Sequence, residues 1–304
     1  MTVFVVNPRA AHGRTASRWA RLEASLLRLG LSGEVRFTEG PGHARHLTAQ
    51  ALSEGARRVV AVGGDGTIHE VMNGFFDDRQ PRSPEATLGI LPTGTGGDLI
   101  RTLGIPRDPL KAAEHLLSGR QSLFDVGRAE FVGADGHRTV RHFVNIAEAG
   151  LGGAAVDRIN RGSKVLGGFL TFLAGTLHAF ATYQPGVMSI AFDDEAPLEG
   201  RAWNVVVGNG RYFGGGMHIL PEARMDDGLF DVMVVGDVSR AALFRNVAAI
   251  YRGTHLSEPG VAFRRAREVR VRCARPLLLD LDGEAPGTTD AHFSIMPQVL
   301  RLSV

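Results

Sequence analysis

Only one cysteine and two lysines occur in the 304 residues, and the charge balance is nearly even at +2. A lone Cys273 excludes an internal disulfide framework and fits a reducing compartment. Its place in Val269-Arg270-Val271-Arg272-Cys273 reads as the apolar side of a strand, so a buried small hydrophobe is expected. The small net charge removes the electrostatic footprint of a nucleic-acid binder. Arginine carries nearly all the positive charge, since Lys111 and Lys164 are the lysines. A secretory leader is not evident: Met1-Thr2-Val3-Phe4-Val5-Val6-Asn7-Pro8 has no basic start and too short an apolar run, and reads as a strand. The expected location is cytoplasmic.

Long uncharged runs are scarce, with one exception. From Val165 the first charged residue is Asp193. A membrane span needs about 20 predominantly apolar residues, and here Gly167, Gly168, Thr171, Gly175, Thr176, His178 and Thr182 dilute the run. Leu166, Phe169, Leu170, Leu173, Leu177 and Phe180 follow helical spacing. A buried or cleft-lining helix over 165–183 is expected, able to face an acyl chain.

What is present is an ordinary globular composition, 44% hydrophobic and 22% charged, long enough for two domains of roughly 150 residues. The first part alternates strands and helices: strands at Thr2–Val6, Glu34–Thr38, Arg58–Val62 and Ala86–Leu91, helices at Thr15–Leu29, Ala44–Glu54, up to Gly74, Gly97–Leu103 and Pro109–Leu117. Such repeats predict a doubly wound, mostly parallel α/β domain over 1–122. Its ligand crevice lies beyond the strand ends, where Asn7, Thr38, Gly63 and Pro92 fall. From 123 to 290 short alternating runs predict a largely antiparallel β-sandwich domain. These are Val140–Asn145, Val187–Phe192, Ala202–Val207, Leu229–Val235, Val269–Arg272 and Leu277–Leu281, with a helix near Ser239–Tyr251. Residues 291–304 form a closing strand, free to return to the first domain.

The densest chemical signal is Val60-Ala61-Val62-Gly63-Gly64-Asp65-Gly66-Thr67-Ile68-His69-Glu70. Glycines remove the Cβ, allowing close approach of a ligand, and the N–H groups at the following helix start favour phosphate oxygens. A carboxylate inside such a loop points to a bound cation or a hydroxyl awaiting activation. A second glycine loop, Pro92-Thr93-Gly94-Thr95-Gly96-Gly97-Asp98, follows the next strand. It completes a two-sided cradle in which Thr95 offers a hydroxyl and Asp98 a helix N-cap. Phosphoryl transfer is the chemistry these loops suit.

With Asn73-Gly74, Asn209-Gly210, Gly214-Gly215-Gly216, Asp226-Asp227-Gly228-Leu229 and Asp282-Gly283-Glu284, the loops resemble the diacylglycerol kinase catalytic-domain family, related to sphingosine kinases and NAD kinases. The resemblance spans essentially the whole chain. It implies ATP held by Asn7, Thr38, Gly63, Gly64, Asp65, Gly66, Thr67, Glu70, Gly94 and Thr95. It implies Mg²⁺ bound by the Asp227 carboxylate and the main-chain oxygens of Arg224 and Leu229. It makes Glu284 the general base on a lipid hydroxyl, with Asp282 and Asp65 as electrostatic and metal-linked partners, Lys164 as a basic residue linked to this acidic cluster, and Asp125 as a further member of it. Diacylglycerol is the default acceptor, phosphatidylglycerol and sphingoid bases the alternatives. Expected partners are the lipid and, transiently, a membrane, although no basic amphipathic anchor is evident; nucleic acid is excluded and a homodimer left open. Two other readings stand: an NAD kinase-like phosphotransferase with a soluble acceptor, and a nucleotide- or lipid-binding regulator without turnover. Departures from the family pattern are His69, Gly97-Asp98, and a first loop, Asn7–Arg14, that lacks a serine and is one residue longer. His69 stands where adenine or ribose contacts could change.

Overall fold

The computed structural model describes residues 1–11, 13–94, 96–161, 178–179 and 181–304. Thr95, Lys164 and positions 165–177 and 180 of the expected 165–183 helix lie outside these residues. The chain divides into two compact units, Met1–Val126 with Pro297–Val304, and Gly127–Met296.

The first unit begins β1 (Thr2–Val6), α1 (Arg14–Arg28), β2 (Glu34–Phe37), α2 (His43–Ser53), β3 (Arg58–Gly63), α3 (Asp65–Gly74), β4 (Thr87–Pro92), α4 (Asp98–Leu103) and α5 (Pro109–Ser118). The second holds most of β5 (Gln121–Gly133), then β6 (Arg138–Phe143), β7 (Ile146–Gly150), α6 (Leu151–Arg161), β8 (Gly186–Phe192), β9 (Leu198–Gly208), β10 (Tyr212–Phe213), β11 (Met217–His218), β12 (Phe230–Gly236), α7 (Arg240–Arg252), β13 (Val261–Ala266), β14 (Glu268–Cys273) and β15 (Leu279–Leu281). The last strand, β16 (Gly287–Ser303), serves the second unit with its first part and the first unit with its end.

In the first unit β16, β4, β3, β1 and β2 pair in that order, every neighbour parallel. The inner strands β1, β3 and β4 are buried on both faces, which explains their unbroken apolar runs. Val3, Val5, Val59, Val60, Val62, Leu88 and Leu91 are all fully buried. The order reverses between β1 and β3, so the loops after these strands border the switch point where doubly wound sheets hold ligands. Helix ends follow from local chemistry. Asp108 Oδ1 accepts the Leu110 and Lys111 N–H groups at 2.8 and 3.1 Å, Pro109 opens α5, and Gly119, at φ 72°, closes it.

The second unit is antiparallel, in the order β13-β12-β9-β8-β14-β16. β9 pairs with β8 through its first half and with β7 through its second, and β7 carries β15 on its other edge. Inward faces of these strands meet around Phe143, whose ring stacks on Phe230 at 5.6 Å and meets Phe293 edge-on at 6.1 Å. A Cβ on Gly127 would collide with the Phe143 ring, so glycine is required there. Cys273 is half-buried rather than enclosed, packed at the margin of this cluster, and burial raises its thiol pKa.

The fold is the expected one: parallel strands with helices first, antiparallel strands after. Five strands and a helix were not anticipated from the sequence, namely β5, β7, β10, β11, β13 and α6, and β16 begins four residues before the expected closing strand. Among the described residues no helix is long and apolar enough to cross a membrane.

Candidate active site

In the first unit the two glycine loops are laced together. Thr93 N and Gly94 N both donate to Gly63 O, at 2.9 and 3.1 Å. Asp65, the first residue of α3, accepts the Gly97 N–H through Oδ2 at 2.8 Å. Backbone packs against backbone: a Cβ on Gly94 would strike Gly64 Cα, and one on Gly96 would strike the Asp65 carboxylate. Asn7 crosses the switch point, its side-chain Nδ2 donating to Thr67 Oγ1 at 2.9 Å, while Thr15 and Thr93 join through their hydroxyls at 3.0 Å. Thr38 N donates to Val6 O at 2.9 Å, which sets that residue at the neighbouring strand end. Asn7, Gly63, Gly64, Asp65, Thr67 and Gly94 are thus gathered, with Gly66 in the first turn of α3.

Glu70 has another partner. Its two carboxylate oxygens accept Gly42 N and Ala44 N at 2.8 and 3.1 Å, capping α2 in place of a side-chain cap from Gly42. Asp98 is also not the N-cap expected; Gly97 occupies that position and Asp98 is the buried first residue of α4. His69 is buried, in contact with Asn73 of its own helix at 3.2 Å, which sets it inside the fold. Asp125 is fully buried and accepts Gln298 N at 2.7 Å, tying the returning β16 to β5.

In the second unit the Asp282-Gly283-Glu284 turn is held from two sides. The Asp282 carboxylate accepts three consecutive backbone N–H groups, Val144 at 2.9 Å, Asn145 at 3.0 Å and Ile146 at 2.9 Å. That segment is braced in turn by Asn209 N and Gly210 N, both donating to Asn145 O, which gives the Asn209-Gly210 motif its task. On the other side Asp280 Oδ1 accepts Gly283 N at 2.7 Å. Glu284, half-buried, closes the turn through reciprocal backbone bonds with Leu281 of 2.8 and 3.1 Å.

Two buried acids behind this turn escaped the sequence reading. β7 and β15 pair so that Glu148 faces Asp280 directly. Both are almost completely buried. Burial pushes the Glu148 carboxyl up to about 7, against the pull of the Asn204 amide, which donates to Oε1 at 2.7 Å. Asp280 is raised well above the usual carboxylate range by burial and then by the facing Glu148 charge. Like charges this close in a dry site favour keeping a proton between them. The available signal was an acid at an inward position of an apolar strand, Leu277-Leu278-Leu279-Asp280-Leu281.

At the residues expected to hold Mg²⁺, the side chains are engaged with backbone and with one another. Asp227 Oδ1 accepts Leu229 N at 3.2 Å, and Oδ2 is bound by the Arg265 guanidinium. Arg224 turns to Asp226, Nε to Oδ1 at 3.1 Å. Arg265 stands opposite Asp231 across β12 and β13, with Nε 3.6 Å from Asp231 Oδ1, so one guanidinium serves two carboxylates. Burial, outweighing Arg265, lifts Asp231 to about 6. Among the described residues no three His, Cys, Asp or Glu side chains gather into a metal site.

With this geometry in hand, the family is clear. Residues 1–129 match the diacylglycerol kinase catalytic domain, and residues 145–304 match the YegS C-terminal NAD kinase beta sandwich-like domain. The chain belongs to the family defined by that YegS C-terminal domain, which matches more than half of it. Among its relatives, the diacylglycerol kinase of Bacillus subtilis is 28% identical over 292 residues, 95% of this chain and 91% of that protein. The diacylglycerol kinase of Mycobacterium tuberculosis is 28% identical over 300 residues, 98% and 93% of the two chains. In fold, a putative diacylglycerol kinase from Bacillus anthracis is similar with a TM-score of 0.78, at 24% identity and coverage of 99% and 96%. An NAD kinase from Archaeoglobus fulgidus, solved in complex with ATP, is more distant: TM-score 0.53, 14% identity, coverage 100% and 94%.

Proposed function

We propose that the protein is an ATP-dependent, Mg²⁺-requiring lipid kinase that moves the γ-phosphate onto a lipid hydroxyl, diacylglycerol before phosphatidylglycerol or a sphingoid base. The observation that carries this reading is the laced pair of glycine loops at the switch point, where Asp65 grips Gly97 and no side chain separates Gly64 from Gly94. Exposed N–H groups and a helix start suit the phosphates of a nucleotide, with Asn7, Thr38, Thr67 and Thr95 contributing polar contacts. Mg²⁺ enters as the companion of the nucleotide phosphates, which is how this ion is commonly bound; the Asp227 turn is not needed for it.

The acceptor side falls to Glu284. As general base it takes the hydroxyl proton while the hydroxyl oxygen bonds to the γ-phosphorus and the bond to the leaving ADP oxygen breaks. Asp282 acts by fixing the turn on the 144–146 backbone, and Asp65 by fixing the second loop on the first. The kinase is proposed to be cytoplasmic, meeting its acceptor at a membrane surface.

A direct test supplies the purified protein with γ-labelled ATP, Mg²⁺ and a mixed lipid extract, then identifies the labelled product by mass spectrometry. A phosphorylated lipid is expected. Label transferred to NAD in detergent-free buffer, with no labelled lipid, would instead favour the soluble-acceptor kinase. The likeness to an NAD kinase fold gives that second reading its standing.

A further inference from the structure

The amino ends of the parallel strands in the first unit carry charge that the glycine loops do not use. Register puts Thr2 of β1 beside Arg58 of β3, Arg58 beside Thr87 of β4, and Thr87 beside Arg301 of β16. Residues paired in this way share one face of a parallel sheet, so the four make a row in which threonine and arginine alternate. Backbone fixes the row: Arg57 N and Arg58 N donate to Met1 O at 3.0 and 3.3 Å, and Thr87 N donates to Arg57 O at 2.9 Å. Arg58 opens β3 and Gly63 ends it, five residues and roughly 16 Å further along the strand. The row and the glycine loops therefore stand at opposite ends of one sheet.

The four residues line a cavity of about 380 Å³, together with exposed Arg57 and Glu85. Three guanidinium groups thus share one carboxylate, and that carboxylate is a weak counterion. Glu85 Oε2 lies 3.5 Å from the Arg301 guanidinium, on a side chain that is 89% exposed. Among the described residues the Arg57 and Arg58 guanidinium groups have no ion-pair partner, and Arg301 Nε is buried without an acceptor. A buried donor left unmatched is costly, and so are like charges held together. An anion in the cavity relieves both. Each guanidinium offers N–H donors in a planar fork that matches two oxygens of a phosphate. Arg58 and Arg301 stand two strands apart, roughly 10 Å between backbones, which lets them hold a phosphate from both sides with the Thr87 hydroxyl between them. The surplus of positive charge favours a dianion.

We propose that this cavity is a second anion site, which takes a phosphomonoester at the amino ends of the parallel strands, apart from the nucleotide crevice. Its guest is the phosphate group itself, carried by a soluble ester or by the head of a phosphorylated lipid. Arg58 and Arg301 hold the phosphate oxygens, Arg57 adds charge, and Glu85 is the group displaced. The proposal stands without the kinase reading, because none of its residues belongs to the glycine loops or to the Asp282 turn.

The test is a thermal-shift titration of the full chain with sodium phosphate, glycerol 3-phosphate and dihexanoyl phosphatidic acid, against sodium chloride at equal ionic strength. The phosphate probes should stabilise wild type and chloride should not. Arg58→Gln/Arg301→Gln should bind them about a hundredfold more weakly, roughly tenfold for each charge-assisted contact. Glu85→Gln changes an exposed side chain and should bind about two- to fivefold more tightly, since the competing carboxylate is gone. The dissociation constant for ATP should keep its wild-type value in both variants. Tighter binding of phosphatidic acid than of glycerol 3-phosphate would identify a lipid headgroup as the guest, and equal or weaker binding a soluble ester. Unaltered phosphate affinity in both variants would overturn the proposal, as would chloride stabilising wild type as much as phosphate does. If the double variant does not fold, wild-type phosphate affinity in Glu85→Gln overturns it alone. A parallel loss of ATP affinity in the double variant would assign the phosphate to the crevice and overturn it as well. Absence of lipid turnover in wild type, with phosphate binding intact, would reject the kinase reading alone.

Discussion

The first unit presents its chemistry through backbone, the second through carboxylates. In the proposed kinase the working parts around the switch point are N–H groups uncovered by glycine, while Asn7 binds Thr67 and Asp65 binds the Gly97 N–H. In the second unit the working parts are acids, and the backbone exists to hold them: three N–H groups grip Asp282 and one grips Asp280. Backbone donors cannot be mutated away, so the first unit tolerates side-chain change but not added bulk. Carboxylates can be removed singly, and their loss strands the groups that hold them.

The comparison is most severely tested at Asp282. Asp282→Ala leaves Val144, Asn145 and Ile146 N–H without an acceptor, at about 1–3 kcal/mol each where water cannot replace it. A destabilisation of roughly 3 kcal/mol or more is expected in denaturant melts, with loss of turnover. A change within error of zero would mean the turn needs no anchor.

Next comes pH. Glu148 keeps its proton up to about 7 when folded, against a reference value of 4.5. Between those values the unfolded chain has lost a proton that the native state still holds, so stability declines as pH rises through that window. The total is on the order of 3 kcal/mol. Glu148→Gln should flatten the slope in urea melts run across it; an equally steep slope in the variant would show that the pair is not its source.

In the first unit, Asp65→Ala removes the Gly97 latch. It should weaken ATP binding about tenfold, the effect of one charge-assisted hydrogen bond, with little change in melting temperature. Smallest is the effect at Arg265, a partly exposed pair contributing about 0–1 kcal/mol. Arg265→Gln frees Asp227, so thermal shift with Mg²⁺ should stabilise this variant while leaving wild type unmoved. An equal Mg²⁺ response in wild type would show that the ion displaces the guanidinium.

The two units were also unequally legible. β1, β3, β4 and α5 could be read to within a residue or two because each parallel strand is one apolar run closed by a turn signal, and each helix is ended by glycine. The antiparallel unit hides its strands. β5 opens on exposed Gln121, Ser122 and Leu123, and β13 carries Arg264 and Arg265 outward. Site legibility divides similarly. The glycine loops announce themselves by composition. Glu148, Asp280 and Arg265 matter through strand register, Glu148 opposite Asp280 and Asp231 opposite Arg265, which local sequence does not contain.

The most direct measurement determines two quantities on Glu284→Gln: its dissociation constant for ATP and its rate of lipid phosphorylation. If backbone loops hold the nucleotide and this carboxylate moves the proton, ATP binds as in wild type and transfer falls by about 10²–10⁴-fold. Transfer at the wild-type rate, or loss of ATP binding together with activity, would contradict that division of labour.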